Sequence, residues 1–247
     1  MKRLLMIWII LIGANGFANL DTQEKAFNIV CGKYKVKISG QYKYTIRQIS
    51  YDGKMFGTRS GYYGTVMKLA PGKYIGAGHT KGGEERILKT ELFANGKPVI
   101  PKIGDTLVVE NFLIRKTAML DKLYFKTELL INPEGITEQK QFQATARQPL
   151  FYIYIYLLCW NKSTTDWIAK TVAGKIIHGK FQGKDRGKYT WHLQENVKWV
   201  ANFDQASGQG MMMYYPEPIK GKGRKSAFWE VKDKYNKYYL MLDSPAV

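Results

Sequence analysis

The sequence predicts an all-β protein, a large antiparallel β-sandwich of two stacked sheets (supersandwich-like) with very little helix. Three observations predict this fold. Aromatic residues are abundant, with 17 Tyr, 11 Phe and 6 Trp, and aromatic side chains favour strands. Apolar and polar residues alternate over many short runs, and 24 Gly separate these runs. Many short strands with turn signals between them are typical of a sandwich or barrel.

The strands follow from this alternation in chain order. Residues 33–38 and 107–116 alternate, and every second residue from Leu123 to Ile131 lies on one face. Residues 132–135, Asn-Pro-Glu-Gly, predict a tight turn into the next strand. Short helices are suggested only at residues 22–27 and 164–171. Further strands are predicted at residues 136–144, 151–159, 174–182, 187–194, 197–204, 209–215, 225–231 and 236–243.

The N-terminus has the pattern of a secretory signal peptide over residues 1–18. Lys2 and Arg3 precede an apolar run at residues 4–12, and a small-residue cleavage site ends at Ala18. The run is far shorter than the ~20 residues that span a bilayer, which disfavours the alternative of an uncleaved anchor. We therefore expect a secreted or periplasmic protein without a transmembrane segment after cleavage, and a single β-sandwich domain at residues 19–247.

The chain is strongly basic, with a formal net charge of +18. Removing the two charges of Lys2 and Arg3 lowers it to +16. Such a charge bears on partners and not on fold. It favours an acidic polysaccharide or other anionic glycan, an anionic envelope polymer or a membrane surface; nucleic acid is not expected. The alternative is that the lysines, which are spread along the chain, only keep the protein soluble.

The two cysteines, Cys31 and Cys159, carry no metal-binding pattern. In an oxidising compartment they either pair or remain two buried thiols, and the sequence leaves both alternatives open. There is no close Cys/His spacing, no phosphate-binding loop and no nucleophile elbow. We expect no cofactor and no metal.

Residues 57–85 hold the densest set of candidate chemical groups. Glycines there bracket an aromatic pair, and a histidine and two adjacent acids follow. His79 follows a glycine turn and is the predicted proton acceptor, with Tyr62 or Tyr63 in the same role. Arg59 would neutralise a substrate carboxylate. These four residues form the predicted catalytic set; the alternative is an ordinary turn with solvated charges.

Glu84, Glu85 and Arg86 follow directly and are predicted to bind substrate. On a strand the two adjacent acids point to opposite faces. They therefore do not form the opposed carboxylate pair of a glycoside hydrolase, whose members lie about 5–9.5 Å apart.

Two later strands supply further predicted substrate-binding residues. Trp191 and His192 lie on opposite faces of one of them, with a surface histidine as the alternative. The other carries a tyrosine ladder of Tyr152, Tyr154 and Tyr156, of which Tyr154 is the predicted substrate contact. Rings with polar tips suit sugar stacking and hydroxyl hydrogen bonds. The alternative is a strand buried on both faces.

The order of elements resembles the galactose-mutarotase-like supersandwich, which includes sugar epimerases and sandwich domains of polysaccharide lyases and glycoside hydrolases. The matching features are the Gly-Tyr-Tyr-Gly of residues 61–64, the Gly-His loop at His79, the long run of strands and a late Asn-Lys-Tyr-Tyr-Leu strand at residues 236–240. The resemblance implies a carbohydrate-active protein. In the epimerases two histidines and a glutamate act, and here the second histidine would be His192 or His178.

Together these features predict an exported carbohydrate-active protein that binds an acidic, uronate-containing polysaccharide and, as an enzyme, cleaves it by β-elimination. Arg59 would neutralise the uronate carboxylate while His79 or a tyrosine removes the neighbouring ring proton. The alternative is a non-catalytic carbohydrate-binding or cell-envelope interaction module of the same fold, which needs only an aromatic platform.

Overall fold

The computed structural model describes residues 25–58, 63–70, 72–78, 80, 84–147, 149–181, 192–216, 225–231 and 234–243. Twenty strands and their turns make up the regular structure of these residues, which include no helix and hence none that could cross a membrane. The strands are β1 (Ala26–Cys31), β2 (Tyr34–Ser39), β3 (Thr45–Tyr51), β4 (Lys54–Gly57), β5 (Gly64–Leu69), β6 (Tyr74–Gly76), β7 (Arg86–Ala94), β8 (Lys97–Pro98), β9 (Thr106–Val108), β10 (Phe112–Leu120), β11 (Leu123–Asn132), β12 (Gly135–Ala144), β13 (Leu150–Asn161), β14 (Asp166–Thr171), β15 (Ile176–Lys180), β16 (Leu193–Glu195), β17 (Val197–Asp204), β18 (Gln209–Tyr214), β19 (Lys225–Val231) and β20 (Tyr235–Asp243).

The largest sheet has 11 strands. Its main order is β16-β19-β20-β13-β4-β3-β2-β1-β9, and β5 joins it by pairing with β13 and β6. The described pairings in this sheet are antiparallel except that of β1 with β9, which is parallel. β13 has 12 residues, so that it pairs with β20 on one side and with both β5 and β4 on the other.

Two smaller sheets cover one face of the large sheet. One has five strands in the order β12-β11-β10-β7-β8, and the other has four in the order β15-β14-β17-β18. Ile38 of the large sheet shares a core cluster with Ile131 of the five-stranded sheet. Trp160 shares another with Trp167 of the four-stranded sheet. Leu158 packs against both clusters, so both small sheets lie on the same side.

The prediction of an all-β antiparallel sandwich is confirmed. The second layer, however, consists of two sheets where one was expected. A single five-stranded layer is too narrow to cover a twisted sheet of 11 strands, and each part of the apolar face needs its own cover to leave water.

Three local predictions were wrong. The helix suggested at residues 22–27 is contradicted at Ala26 and Phe27, which belong to β1 and pair with β2. Tertiary contacts also explain the other two. Residues 164–171 form no helix, because β14 at Asp166–Thr171 pairs with β15 on one side and β17 on the other. The run 107–116 is divided into β9 and β10. Asn95 Oδ1 accepts hydrogen bonds from the backbone N–H groups of Glu110 and Asn111, at 2.9 and 3.1 Å, and so fixes the bend between the two strands.

The two cysteines are buried thiols and form no disulfide. Cys31 belongs to the core beneath the five-stranded sheet. Cys159 belongs to a cluster on the opposite side of the large sheet. The sheet therefore separates the two sulfur atoms, which resolves the alternatives that the sequence left open.

Candidate functional site

The side of the large sheet opposite the two smaller sheets carries a row of four tyrosines, here called the tyrosine face. The ring centroids of Tyr74 and Tyr152 are 6.0 Å apart, those of Tyr152 and Tyr154 5.1 Å, and those of Tyr154 and Tyr239 4.8 Å. The cluster beneath the row contains residues of β5, β6, β13, β19 and β20 and none of either small sheet. Tyr74, Tyr152 and Tyr154 are half-buried, whereas Tyr239 is 4% exposed and forms the buried end of the row.

Strand register creates this row from four positions that are far apart in the chain. Lys68 of β5 lies opposite Tyr74 of β6 on one side and Tyr152 of β13 on the other. Tyr154 and Tyr239 come together because β13 pairs with β20. Residues directly opposite or diagonal on one face of a sheet are within reach of each other.

Lysines accompany the aromatic rings. Lys68 Nζ lies 5.5 Å from the ring centres of Tyr74 and Tyr152 and 5.4 Å from that of Phe151. Lys237 Nζ lies 5.1 Å from the ring centre of Tyr239. The tyrosine face therefore presents flat apolar surfaces, phenolic hydroxyls and ammonium groups side by side.

The predicted ladder of Tyr152, Tyr154 and Tyr156 is correct for its first two members only. The register of β13 against β20 shifts between Tyr154 and Tyr156, so that Tyr154 faces Met241 and Tyr156 faces Leu240. Such a bulge puts one extra residue into a strand and changes which face the following side chains occupy. Tyr156 consequently points between the sheets.

Inside the sandwich Tyr156 belongs to a polar network around a cavity of about 30 Å³, enough for one or two ordered waters. Its hydroxyl donates to the carbonyl oxygen of Glu138 at 2.7 Å. Lys140 Nζ lies 4.5 Å from the Tyr156 ring centre and donates to the Ile155 carbonyl at 3.0 Å and to Thr65 Oγ1 at 3.2 Å. Burial lowers the pKa of Lys140, although its ion pair with Glu138 opposes this shift.

Glu85, a predicted substrate ligand, lies in the same interior. Its Oε1 forms an ion pair with Lys116 Nζ at 2.7 Å, and its Oε2 accepts the backbone N–H of Gly78 at 2.8 Å. Lys116 Nζ also donates to the carbonyl oxygen of Lys43 at 2.9 Å. Glu85 is 3% exposed, and this arrangement gives it a structural role.

Tyr63, a predicted catalytic residue, is 2% exposed. Its hydroxyl contacts the carbonyl oxygens of Thr58 at 3.0 Å and Cys159 at 2.9 Å. Burial raises its pKa well above the usual value, which makes the phenolate form that would accept a proton less accessible. The other predicted catalytic residues, Arg59, Tyr62 and His79, lie outside the described residues, as does Trp191.

The structure does not bring the other predicted substrate ligands together. Glu84 pairs with Lys73 at 3.4 Å, directly before the strand that carries Tyr74. Arg86 is exposed and lies opposite Met119 on β10 of the five-stranded sheet. Among these residues Glu84 alone is beside the tyrosine face.

His192 is enclosed with a carboxylate that the sequence reasoning missed. Its Nε2 contacts Glu230 Oε2, and the two side chains are 5% and 4% exposed. Its ring packs edge-on against Phe181 at 5.4 Å, which belongs to the core of the four-stranded sheet. His192 and Tyr154 therefore occupy different sides of the large sheet.

Several residues on this side of the large sheet were not predicted as ligand contacts, namely Lys68, Tyr74 and Tyr239. Each lies in a strand whose alternation is visible in the sequence, but only strand pairing shows which of these residues are neighbours. Among the described residues, no group of three or more His, Cys, Asp and Glu side chains is placed to hold a metal ion.

Comparison with solved structures finds six matching chains. A crystal structure titled "Putative aldose 1-epimerase", from Escherichia coli K12, is similar over 90% of this chain and 89% of that one, with 12% sequence identity and a TM-score of 0.42. The weak resemblance drawn from the order of elements is thus found again as a weak structural likeness. No protein-family model matches the chain, and no curated protein matches it.

Proposed function

We propose that the protein binds a carbohydrate polymer that carries acidic groups, and that the polymer lies along the tyrosine face. The observation that supports this proposal is the row of partly exposed rings of Tyr74, Tyr152 and Tyr154, with centroid spacings of 5.1 and 6.0 Å. Tyrosine offers a rigid apolar ring for a sugar face and a hydroxyl for sugar oxygens. A row of rings suits a ligand that repeats along its length.

The lysines support an anionic polymer over a neutral one. Lys68 and Lys237 lie next to the rings, and Lys225 is exposed opposite Met241 on the same face. A uronate carboxylate at such a position gains a charge-assisted hydrogen bond. The formal net charge, +18 for the full chain and +16 without Lys2 and Arg3, adds a long-range attraction that salt weakens.

Binding has more structural support than cleavage. Within the described residues, Tyr63 and Glu85 are buried and held by other protein groups. β-Elimination remains the second candidate function, because His79 directly follows Gly78, two residues beyond the strand that carries Tyr74. In that reaction Arg59 would neutralise the uronate carboxylate while His79 or Tyr62 removes the adjacent ring proton.

Calorimetric titration with a soluble polyuronate and with a neutral glucan tests the binding proposal. We expect binding of the polyuronate alone, weakened about tenfold or more by Tyr154→Ala or Tyr152→Ala, since stacking on one aromatic ring contributes about 1–3 kcal/mol in a comparable case. Tyr51→Ala, which removes a tyrosine that is 37% exposed at the end of β3, is the matched control. Equal affinity in all variants would refute the site.

Incubation of the protein with the same polyuronate separates binding from catalysis. Elimination creates an unsaturated product whose ultraviolet absorbance rises with time. A rise that His79→Ala abolishes, with retained binding, would support the lyase function. No rise together with Tyr154-dependent binding would support the non-catalytic module.

We also propose that the protein is exported, because a polymer of this kind is found outside the cytoplasm. N-terminal sequencing of the protein recovered from a secreting host tests it. A mature chain that starts at Asn19 is expected, and a chain that still starts at Met1 would contradict it.

A further inference from the structure

A short loop between β8 and β9, residues 99–105, exposes isoleucine side chains to solvent. Ile100 is 93% exposed and Ile103 is 63% exposed, and Val108 on the following edge strand is 78% exposed. Scattered apolar residues on a surface are ordinary. Three aliphatic side chains with such exposure within nine residues of one segment form a concentrated apolar projection.

The loop is held firmly in this position. Val99, Leu107 and Val109 pack against the core beneath the five-stranded sheet and anchor both ends of the segment. Gly104 N–H donates to the Ala26 carbonyl at 2.8 Å. The isoleucines therefore project from a loop that is fixed at both ends.

Hydrogen bonds across the loop complete this support. Asn28 N–H donates to the Asp105 carbonyl at 2.8 Å, which ties the loop to β1. Asp105 Oδ2 accepts the backbone N–H of Lys102 at 2.7 Å. The carboxylate of Asp105 is thus occupied in holding the turn that presents Ile103.

Lysines surround the projection. Lys97 and Lys102 are exposed on the loop side. Lys35 lies on the same side of the sheet as Val108, because Val108 lies opposite Val30 and Val30 lies opposite Lys35. None of these three lysines forms an ion pair with any residue that the structure describes.

The same segment holds two acidic residues beside Lys97 and Lys102, so its excess of positive charge comes from Lys35 on β2. The acidic residues between residues 97 and 110 are Asp105, which holds the turn, and Glu110 at its far end. An aliphatic tip with a basic margin matches a surface that is apolar within and anionic at its boundary.

We propose that this loop is a docking site for an anionic lipid surface, with Ile100 and Ile103 inserted among the acyl chains and the lysines at the headgroups. The absence of aromatic residues between residues 97 and 110 argues against the sugar stacking expected on the tyrosine face. The inference is independent of the proposed glycan binding, since the two surfaces share no residue.

Vesicle sedimentation tests the proposal with the full chain. Vesicles of phosphatidylcholine with an equal part of phosphatidylglycerol are compared with vesicles of phosphatidylcholine alone. We expect binding to the anionic vesicles, a decrease of about a hundredfold in Ile100→Ser/Ile103→Ser, and a decrease of about fivefold in Lys102→Gln.

The matched control is Met212→Ser/Ile176→Ser. It removes two apolar side chains that are 61% and 48% exposed on the four-stranded sheet. This control should bind as the unchanged protein does. Equal losses in the two double variants, or equal binding to both kinds of vesicle, would overturn the proposal.

A second measurement distinguishes lipid from a second copy of the chain. Ile103→Cys gives one accessible thiol, because Cys31 and Cys159 are buried, and an environment-sensitive dye on it should shift to the blue on addition of anionic vesicles. A shift that depends on protein concentration without lipid would assign the loop to self-association and refute lipid docking.

Discussion

Lys116 Nζ lies 2.7 Å from Glu85 Oε1 in an ion pair whose side chains are 5% and 0% exposed. Lys116 also bonds the carbonyl of Lys43, and Glu85 also accepts the N–H of Gly78. Both of these partners belong to turns of the large sheet, while Lys116 lies on the five-stranded sheet. The pair therefore links the two layers of the sandwich beside the predicted catalytic loop.

Lys116→Met should destabilise the protein by about 3–5 kcal/mol, because it leaves the Glu85 carboxylate buried without its counter-charge. Urea unfolding gives the free energy. Lys89→Met, which breaks a surface pair with Glu91 whose side chains are 66% and 40% exposed, is the control, and its cost should be about 0–1 kcal/mol. Similar costs for the two substitutions would show that the buried pair has no special role.

Lys140 should make stability depend on alkaline pH. Burial lowers its pKa from the ordinary 10.5, so between the folded and unfolded pKa values the unfolded chain binds more protons. Stability then rises with pH across that interval. The difference in unfolding free energy between the unchanged protein and Lys140→Met should therefore increase toward pH 10.5.

Urea unfolding at a series of pH values measures this difference. Lys162→Met removes an exposed lysine and should give a flat profile. A difference for Lys140→Met that stays constant, or that falls as the pH rises, would contradict the expected sign.

Gly76→Ala should destabilise the strand that leads to the predicted catalytic loop. A Cβ at this position would lie 2.4 Å from the carbonyl oxygen of Thr80, a backbone atom that cannot move without shifting the turn. Overpacking of this kind costs about 1–3 kcal/mol. Thermal unfolding measures it, with Gly135→Ala as the control, since a Cβ there meets no atom within 4 Å. An unchanged midpoint for Gly76→Ala would contradict the close approach of Thr80 to this strand.

Both cysteines should resist thiol reagents in the folded protein. Cys31 and Cys159 are each 0% exposed, and burial raises the pKa of the Cys31 thiol, which further lowers its thiolate fraction. A colorimetric thiol assay should detect almost none in buffer and two per chain in denaturant. Detection of none after denaturation without reductant would instead show a disulfide.

The sequence predicted the parts of the fold that depend on local pattern. Strands were predicted at residues 197–204 and 225–231, and β17 and β19 have these same limits. Such patterns are readable because a strand with one buried face must alternate. Asn132 likewise accepts the N–H groups of Glu134 and Gly135 in the predicted turn, at 3.0 and 2.9 Å.

The candidate site was less accessible to prediction. Alternation placed Tyr152 and Tyr154 on one face correctly, yet it also placed Tyr156 there. The bulge before Tyr156 depends on how β13 pairs with β20. A change of one residue in register moves a side chain to the opposite face, and nothing in the residues 151–159 alone shows where that change occurs.

The sequence by itself determined that this protein is built from strands, because residue type and alternation act over neighbouring positions. Only the tertiary structure decided which strands meet. It placed Tyr74 and Tyr239 beside the predicted tyrosines, and it enclosed Glu85 with Lys116 inside the sandwich. These partners are separated by tens of residues, and the burial of several apolar faces at once, which no single segment encodes, selects their pairing.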